Sequence, residues 1–412
     1  MNWKFLALAL LAASFIWKVI LNIADRRSAD NPTPENVKDV YDAEQYAKWR
    51  SYHFEKVRFS LISTAASFVL LFCLVLTDAF SAIVAGVTDT YSAAIFVLLL
   101  YELSTGILNV PFEWYGTMVI EQKYGFNRTT PGTFVADTIK GLVIGLGVTI
   151  GILCLFIAIH LWLGDGVIWL FAIALFAIVM FFSFLYPVFA KIFNKFTPLE
   201  DGELKTSLLG LMEKHGYKVR AIKVMDASRR TTKANAYFTG FGKKKTLVLY
   251  DTLLKTMTPE EICAVFAHEM GHGLHKDTLK NQIISLAQIC IIAVLMWLTV
   301  RTVEIYGFFG FAAVNYGFAF VLLTEIELQI LSPLMGLVSS AFSRRAEYRA
   351  DRQAVDEGYA DALISGLKKL NRDSLGNLSP SPLLVRLTYS HPTLSQRIDA
   401  IRAYQATKTV SA

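Results

Sequence analysis

The chain has 412 residues, of which 54% are apolar and only 18% charged, with a mean hydropathy of +0.43. Soluble domains carry about 25% charged residues, so a wholly soluble protein is excluded and much of this chain belongs in a bilayer. The formal charge of +6 comes without a dense basic block; this argues against a nucleic-acid partner and for cations sorted to one membrane face.

Seven stretches are long and apolar enough to cross the hydrocarbon, near 4–22, 60–86, 92–112, 138–162, 167–189, 282–302 and 318–342. The first has the basic start and apolar run of a signal peptide. It stays apolar through Phe15-Ile16-Trp17 and Val19-Ile20-Leu21, so it reads as a retained anchor. The seventh is the weakest, interrupted by Glu325, Glu327 and Pro333. Asp78, Glu102, Glu325 and Glu327 are costly facing lipid, about 2.5–3.5 kcal/mol per central Asp on insertion scales, so they should pair or line water. Cys73, Cys154, Cys263 and Cys290 lack metal or disulfide spacing and read as small buried hydrophobes.

Cations are strongly sorted between these spans. Arg26, Arg27, Lys38, Lys48, Arg50, Lys56 and Arg58 crowd 25–59, whereas the connections at 87–91 and 163–166 carry none. The charge rule places 25–59, 113–137, 190–281 and the C-terminal tail in the cytosol, with the N-terminus outside. Arg301, near the outer end of the sixth span, is an exception. The expected organisation is 1–189 with spans one to five, 190–281 and 343–412 as two parts of a cytosolic domain, and 282–342 as spans six and seven.

Within 190–281, the alternation Val219-Arg220-Ala221-Ile222-Lys223-Val224 predicts a strand. Asn235-Ala236-Tyr237-Phe238 and Thr246-Leu247-Val248-Leu249-Tyr250 predict a hairpin around Gly240 to Lys245. Thr258-Pro259-Glu260-Glu261 then predicts a helix start, with Thr258 as N-cap, Pro259 in the first turn and Glu261 closing a capping box. The tail 343–412 reads as mostly helical.

The Thr258 helix carries His268-Glu269-Met270-Gly271-His272. Residues four apart share a helix face, so both imidazoles can reach one ion while Glu269 reaches its water. A catalytic site needs a third protein ligand. Position 278 is Thr, which excludes a third His six residues after His272. His275 could share the face but crowds it. The other source is an acidic residue on a second helix: Glu347 as ligand, with Asp351 on the same face orienting an imidazole. On spacing alone, a solvated helix with i,i+4 ion pairs suits these residues as well.

Further motifs accompany the pentad: Asn235-Ala236-Tyr237-Phe238, Val248 to Leu254, Ser343-Arg344-Arg345 with Glu347 and Ala350-Asp351, Ser390-His391-Pro392-Thr393 with Arg397-Ile398, and Glu121-Gln122-Lys123-Tyr124-Gly125-Phe126-Asn127. In order and spacing the sequence resembles the M48 metallopeptidases of the Ste24 type, the CAAX prenyl protease 1 family. The resemblance implies a mainly α, seven-helix membrane barrel around an aqueous chamber, capped by a gluzincin-like cytosolic domain with a small β-sheet. It implies one zinc ion on His268, His272 and Glu347, and Glu269 as general base. His391 is implied as the oxyanion donor, Asn235 as a holder of substrate backbone, and Arg397 as a support for His391 or a substrate-binding cation. Each of the last three also has a plain reading: a cap His, an edge Asn and a surface cation. The sequence departs from the family at Gly273-Leu274-His275, where bulkier Trp-containing versions are common.

The expected function is an integral-membrane zinc endopeptidase acting on membrane-associated or prenylated CaaX-type peptides. The bilayer is the other partner, and no nucleic acid is involved. Short loops favour a bacterial inner membrane; a eukaryotic chain would sit in the endoplasmic reticulum. An HtpX-type quality-control peptidase is a competing reading, disfavoured by chain length. A transporter or lipid-binding protein with an inert metal site is another, opposed by the intact Glu269.

Overall fold

The computed structural model describes residues 2–239 and 244–411. Long helices dominate: α1 (Trp3–Ser28), α2 (Ala43–Leu76), α3 (Thr90–Glu121), α4 (Pro131–Leu163) and α5 (Val167–Phe193) come first. A small sheet domain follows with β1 (Phe196–Pro198), α6 (Glu203–Lys214), β2 (Lys218–Met225), β3 (Ala236–Thr239) and β4 (Lys244–Tyr250). Then come α7 (Pro259–Leu274), α8 (Asp277–Arg301), α9 (Tyr316–Asp356), α10 (Ala360–Asp373) and α11 (Leu394–Ser411). Among the described residues, α1, α2, α3, α4, α8 and α9 are long and apolar enough to cross a membrane. Val167–Ser183 of α5 is a further apolar helical stretch among the described residues, in the place of the expected fifth span. The most apolar stretch of α9 has a mean hydropathy of 1.6, the lowest of the six, as its acids and Pro333 foretold.

Between 11% and 28% of each span's most apolar window is buried. A helix inside a solid bundle hides far more of its surface. These spans leave most of their apolar surface uncovered by protein, as helices in contact with lipid do. Ile107 and Trp162, both more than 70% exposed, stand on that free surface. Cys73 and Cys154 are exposed there too, so only Cys263 is the buried hydrophobe expected of all four. In a membrane wall an apolar residue is stable facing outward, which is why hydropathy misled.

The acids in the spans find partners. Asp78 pairs with Lys4 at 2.9 Å, and Glu327 accepts from the Thr299 hydroxyl at 2.6 Å. Glu102 lines a cavity of about 490 Å³ beside Asn109 and Thr138. Two helices contain π-helical turns, Tyr115–Glu121 in α3 and Leu323–Glu327 in α9. Neither was visible in the apolar periodicity.

The segments rich in cations gather at one end. Asn377 donates to the Ser28 hydroxyl at 2.9 Å, and Asn36 to Asp399 at 2.7 Å, docking 25–59 on the C-terminal tail. Arg128 N–H donates to Arg230 C=O at 2.9 Å, docking the α3–α4 connection on the sheet domain. The opposite end holds the Lys4–Asp78 pair and His160, whose Nδ1 lies 3.3 Å from the Tyr316 hydroxyl.

The sheet order is β1-β2-β4-β3, with β2 parallel to β4 and the outer pairs antiparallel. Strands β2, β3 and β4 match the sequence reading, whereas β1 was too short to signal. The expected turn near Gly240 falls largely outside the described residues. β3 is an edge strand and leads from Asn235. α7 packs across this domain with two apolar faces. Ile262, Phe266 and Met270 join Leu208, Met212, Leu247 and Leu249; Ala264 and Ala267 join Ala354, Leu363 and Ile398.

The N-terminus of α7 carries the foreseen capping box. Glu261 is buried and accepts from Thr258 N–H (2.9 Å), Ser365 (2.7 Å) and Lys369 (2.7 Å). Burial raises its pKa, but the Lys369, Ser365 and Thr258 bonds outweigh this and hold the carboxyl below its usual range. A depressed folded pKa gives stability that is present above the ordinary carboxylate pKa and lost as pH falls through the folded one. Glu261→Gln is therefore expected to lower the melting midpoint at pH 7.5, with the gap to wild type closing toward pH 3. Parallel thermal scans across that range check this; a gap independent of pH would refute it.

Candidate metal centre

The two imidazoles of α7 stand perpendicular, with ring centroids 4.9 Å apart. Between them comes Glu347 of α9. Its Oε1 lies 3.4 Å from His272 Nε2 and its Oε2 lies 3.5 Å from His268 Nε2. One donor atom from each residue lies within 4.8 Å of the others, making this the group of potential metal donors found among the described residues. His275 is not part of it; it caps the end of α7. The close approach of α7 and α9 depends on Gly271 inside the pentad. A Cβ there would fall 2.9 Å from the Ala350 Cα, a backbone atom that cannot swing aside.

The far nitrogen of each imidazole is held by a carboxylate. His268 Nδ1 lies 2.9 Å from Asp351 Oδ1, and His272 Nδ1 lies 3.2 Å from Asp277 Oδ2. A carboxylate partner makes Nδ1 the protonated nitrogen and leaves the Nε2 lone pair directed at Glu347. Asp351 was foreseen in this place. Asp277 was missed: it opens α8 after a two-residue reversal in which Lys276 takes φ 54°. Arg349 donates to Asp277 at 2.6 Å, so α9 reaches under both imidazoles.

Arg397 lies beneath the imidazoles and is largely buried. It is 9% exposed, donates to Asp351 through Nε at 3.0 Å and again through Nη2, and brings Nη1 within 3.4 Å of Glu347 Oε2. It is therefore not the surface cation of the plain reading: it donates hydrogen bonds to Asp351 beneath the imidazoles, and it also lines the cleft.

The electrostatics suit a cation. Burial pushes the Glu347 carboxyl upward, but His272, His391, His268 and Arg397 outweigh this and hold it far below the usual range. Asp351 is likewise held low against burial by Arg397 and His268. Two negative charges therefore persist at neutral pH. Glu347 Oε2 is buried and has no hydrogen-bond partner, an unmet demand in a site otherwise saturated with bonds. Separations of 3.4 and 3.5 Å between Nε2 and carboxylate oxygen are long for hydrogen bonds. Each is close to the ~3.4 Å separation of two donors that are both about 2.1 Å from one tetrahedral ion, although the two distances run to different oxygens of Glu347. The residues present thus fit a zinc-sized cation.

Glu269 and Asn235 line the same cleft of about 520 Å³, together with His391, Leu363 and Leu367. His391 stands at its mouth, with a 61% exposed side chain and Nδ1 3.0 Å from Glu347 Oε1. The Asn235 C=O accepts from Tyr250 N–H at 3.0 Å, and its side chain accepts from Ala236 N–H at 2.9 Å. Metal affinity should depend on the buried carboxylates. Asp277→Asn is expected to weaken it about 10–100-fold. Asp351→Asn should cost more, because it also removes the carboxylate to which the buried Arg397 donates two hydrogen bonds. Competition with a chromophoric chelator measures both, and wild-type affinity in Asp351→Asn would contradict the assignment.

Known proteins are similar to this chain in sequence and fold. Residues 23–195 match the family described as CAAX prenyl protease N-terminal, five membrane helices, and 198–405 match Peptidase family M48. CAAX prenyl protease 1 of Saccharomyces cerevisiae is 30% identical, covering 97% of this chain and 95% of its own length. The Arabidopsis thaliana homologue is 32% identical, covering 94% of each. The crystal structure of S. mikatae Ste24p superposes with a TM-score of 0.91 at 30% identity, over 97% of this chain and 99% of that one. Matches spanning both halves disfavour a shorter HtpX-type peptidase or a transporter. The chain belongs to peptidase family M48, and it is a multi-pass membrane metalloprotease.

Proposed function

We propose that the ion is zinc, held by His268, His272 and Glu347, and that the substrates are membrane-associated peptides, including prenylated CaaX-type ones. One observation carries this reading: Glu269 shares a single cleft with the three donor side chains and with the start of an edge strand. A zinc ion there would lower the pKa of a coordinated water toward about 7 and polarise a carbonyl.

The chain's own residues do the rest. Glu269 takes the proton of the attacking water and passes it to the leaving amine nitrogen, which regenerates its carboxylate. His391, at the mouth, donates a hydrogen bond to the carbonyl oxygen as negative charge develops on it. Asp351 and Asp277 hold the imidazole tautomers. Arg397 positions Asp351 and neutralises it. Asn235 and β3 accept the substrate as an added strand, which needs only backbone pairing and tolerates varied side chains.

The cation-rich end faces the cytosol, so the zinc domain and C-terminus lie there and the N-terminus lies outside. The short connections favour a bacterial inner membrane. The division 1–189, 190–281, 282–342 and 343–412 then alternates membrane and peptidase parts.

The names of the relatives support prenylated substrates. A product map by mass spectrometry tests the point, using matched prenylated and unprenylated peptides with and without chelator. Cleavage of both is expected, faster for the prenylated peptide, and chelator should abolish it. Chelator-resistant products, or equal rates for the two peptides, would refute the metal or the lipid part respectively.

A further inference from the structure

Glu121 to Asn127 has no part in the mechanism above, yet the segment makes some of the closest contacts between the membrane helices and the peptidase domain. Glu121 ends the π-helical turn of α3. Its Oε1 accepts from the Tyr52 hydroxyl at 2.5 Å, and its Oε2 accepts from Lys233 Nζ at 3.0 Å. Lys233 Nζ also lies 4.6 Å from the centre of the Phe126 ring. Thr232 N–H donates to Phe126 C=O at 3.1 Å, and Asn127 pairs with Thr231 in an isolated antiparallel bridge. Asn127 is buried and folds its side chain onto Gln122 (3.0 Å) and Thr129 (2.7 Å), which keeps its backbone extended for that bridge.

Residues 231–235 lead directly into β3. They form no strand of their own. One side of the segment is tied by Thr252, whose hydroxyl donates to Lys233 C=O at 3.0 Å. The other is tied to α2 and α3 through Glu121, Tyr52 and Phe126. Lys233 stands two residues before Asn235, so the clamp ends next to the cleft.

We propose that the Tyr52–Glu121–Lys233 cluster is a positioning device. It holds the approach to β3 so that the edge strand meets substrate already ordered. The inference rests on the reading that substrate pairs along β3. If the clamp is loosened, part of 232–235 must be ordered when substrate binds, and ordering the equivalent of one residue weakens binding about tenfold. The penalty falls on KM, because the donor side chains and Glu269 sit on other elements.

The test measures kcat and KM on one peptide for Glu121→Gln, Lys233→Met and the double variant in the full-length protein, with metal content and melting midpoint recorded. A rise in KM of about tenfold is expected in each single variant, with kcat within about twofold and one metal per chain. The double variant should be no worse than the worse single one, because both break the same link. Tyr52→Phe, which removes one hydroxyl, should give a smaller rise and covers the case in which the charge variants do not fold. Unchanged KM, or kcat falling with KM constant, overturns the proposal. Substrates N-methylated at successive amides distinguish it from the reading beneath it. An alternating penalty in the wild type upholds edge pairing; if KM is also unchanged in Glu121→Gln, only the clamp fails. No alternation removes the edge reading itself.

Discussion

Glu269→Gln should reduce peptide cleavage by about a thousandfold or more while leaving one metal per chain. Glu269 lines the cleft but is not among the three donors, so the substitution keeps size and metal affinity and removes only the proton acceptor. General acid–base catalysis supplies about 10²–10⁴-fold, and this residue acts in both directions, first on the water and then on the leaving nitrogen. A thousandfold loss corresponds to about 4 kcal/mol of transition-state stabilisation. Because the proton moves only in the transition state, kcat and kcat/KM should fall together. Single-turnover assays with metal analysis on the same preparation check both parts. A loss below tenfold would mean that another group takes the proton, and the mechanism above would fall.

Local chemistry was legible in the sequence and long-range chemistry was not. The capping box at Thr258 and Glu261 involves residues three apart, and the pentad and the Glu347–Asp351 pair each lie on one helix face. Such spacings fix geometry before any tertiary contact forms. Asp277 escaped notice because its link to His272 crosses the end of α7 through a left-handed residue, and its other partner, Arg349, is 72 residues away. Gly271 gives no signal of its own within the pentad; its need is set by Ala350 on another helix. The burial of Arg397 was not legible, because a cation six residues after His391 gives no sign of depth. The helix that carries Glu347 was expected to begin near Ser343, yet α9 runs unbroken from the membrane through Pro333 to Asp356.

That continuity makes metal removal an expected event for the whole molecule. His268 and His272 lie on α7, Glu347 lies on α9, and α8 with the apolar part of α9 forms a helical hairpin through the bilayer between them. A bound ion closes this loop and sits among Glu347, Asp351 and Arg397, all buried. Without it, the Glu347 oxygen that has no hydrogen bond stays buried, and the two imidazoles lose the ion that would tie them to it. Binding at a thousand times Kd stabilises the folded state by about 4 kcal/mol. For a cooperative unit the size of the peptidase half, about 2.1 cal/mol/K per residue converts this to a midpoint lower by roughly 10 °C in the metal-free protein. The purified full-length chain should show that drop after chelation, recover it with zinc, and fail to recover it with magnesium, whose octahedral oxygen preference suits neither imidazole. Glu347→Ala should respond to neither treatment, because the tie between α7 and α9 is already cut. Equal midpoints for loaded and stripped wild-type protein would mean that α7 and α9 are held together by packing at Gly271 and Ala350 alone, and that the ion serves only the chemistry.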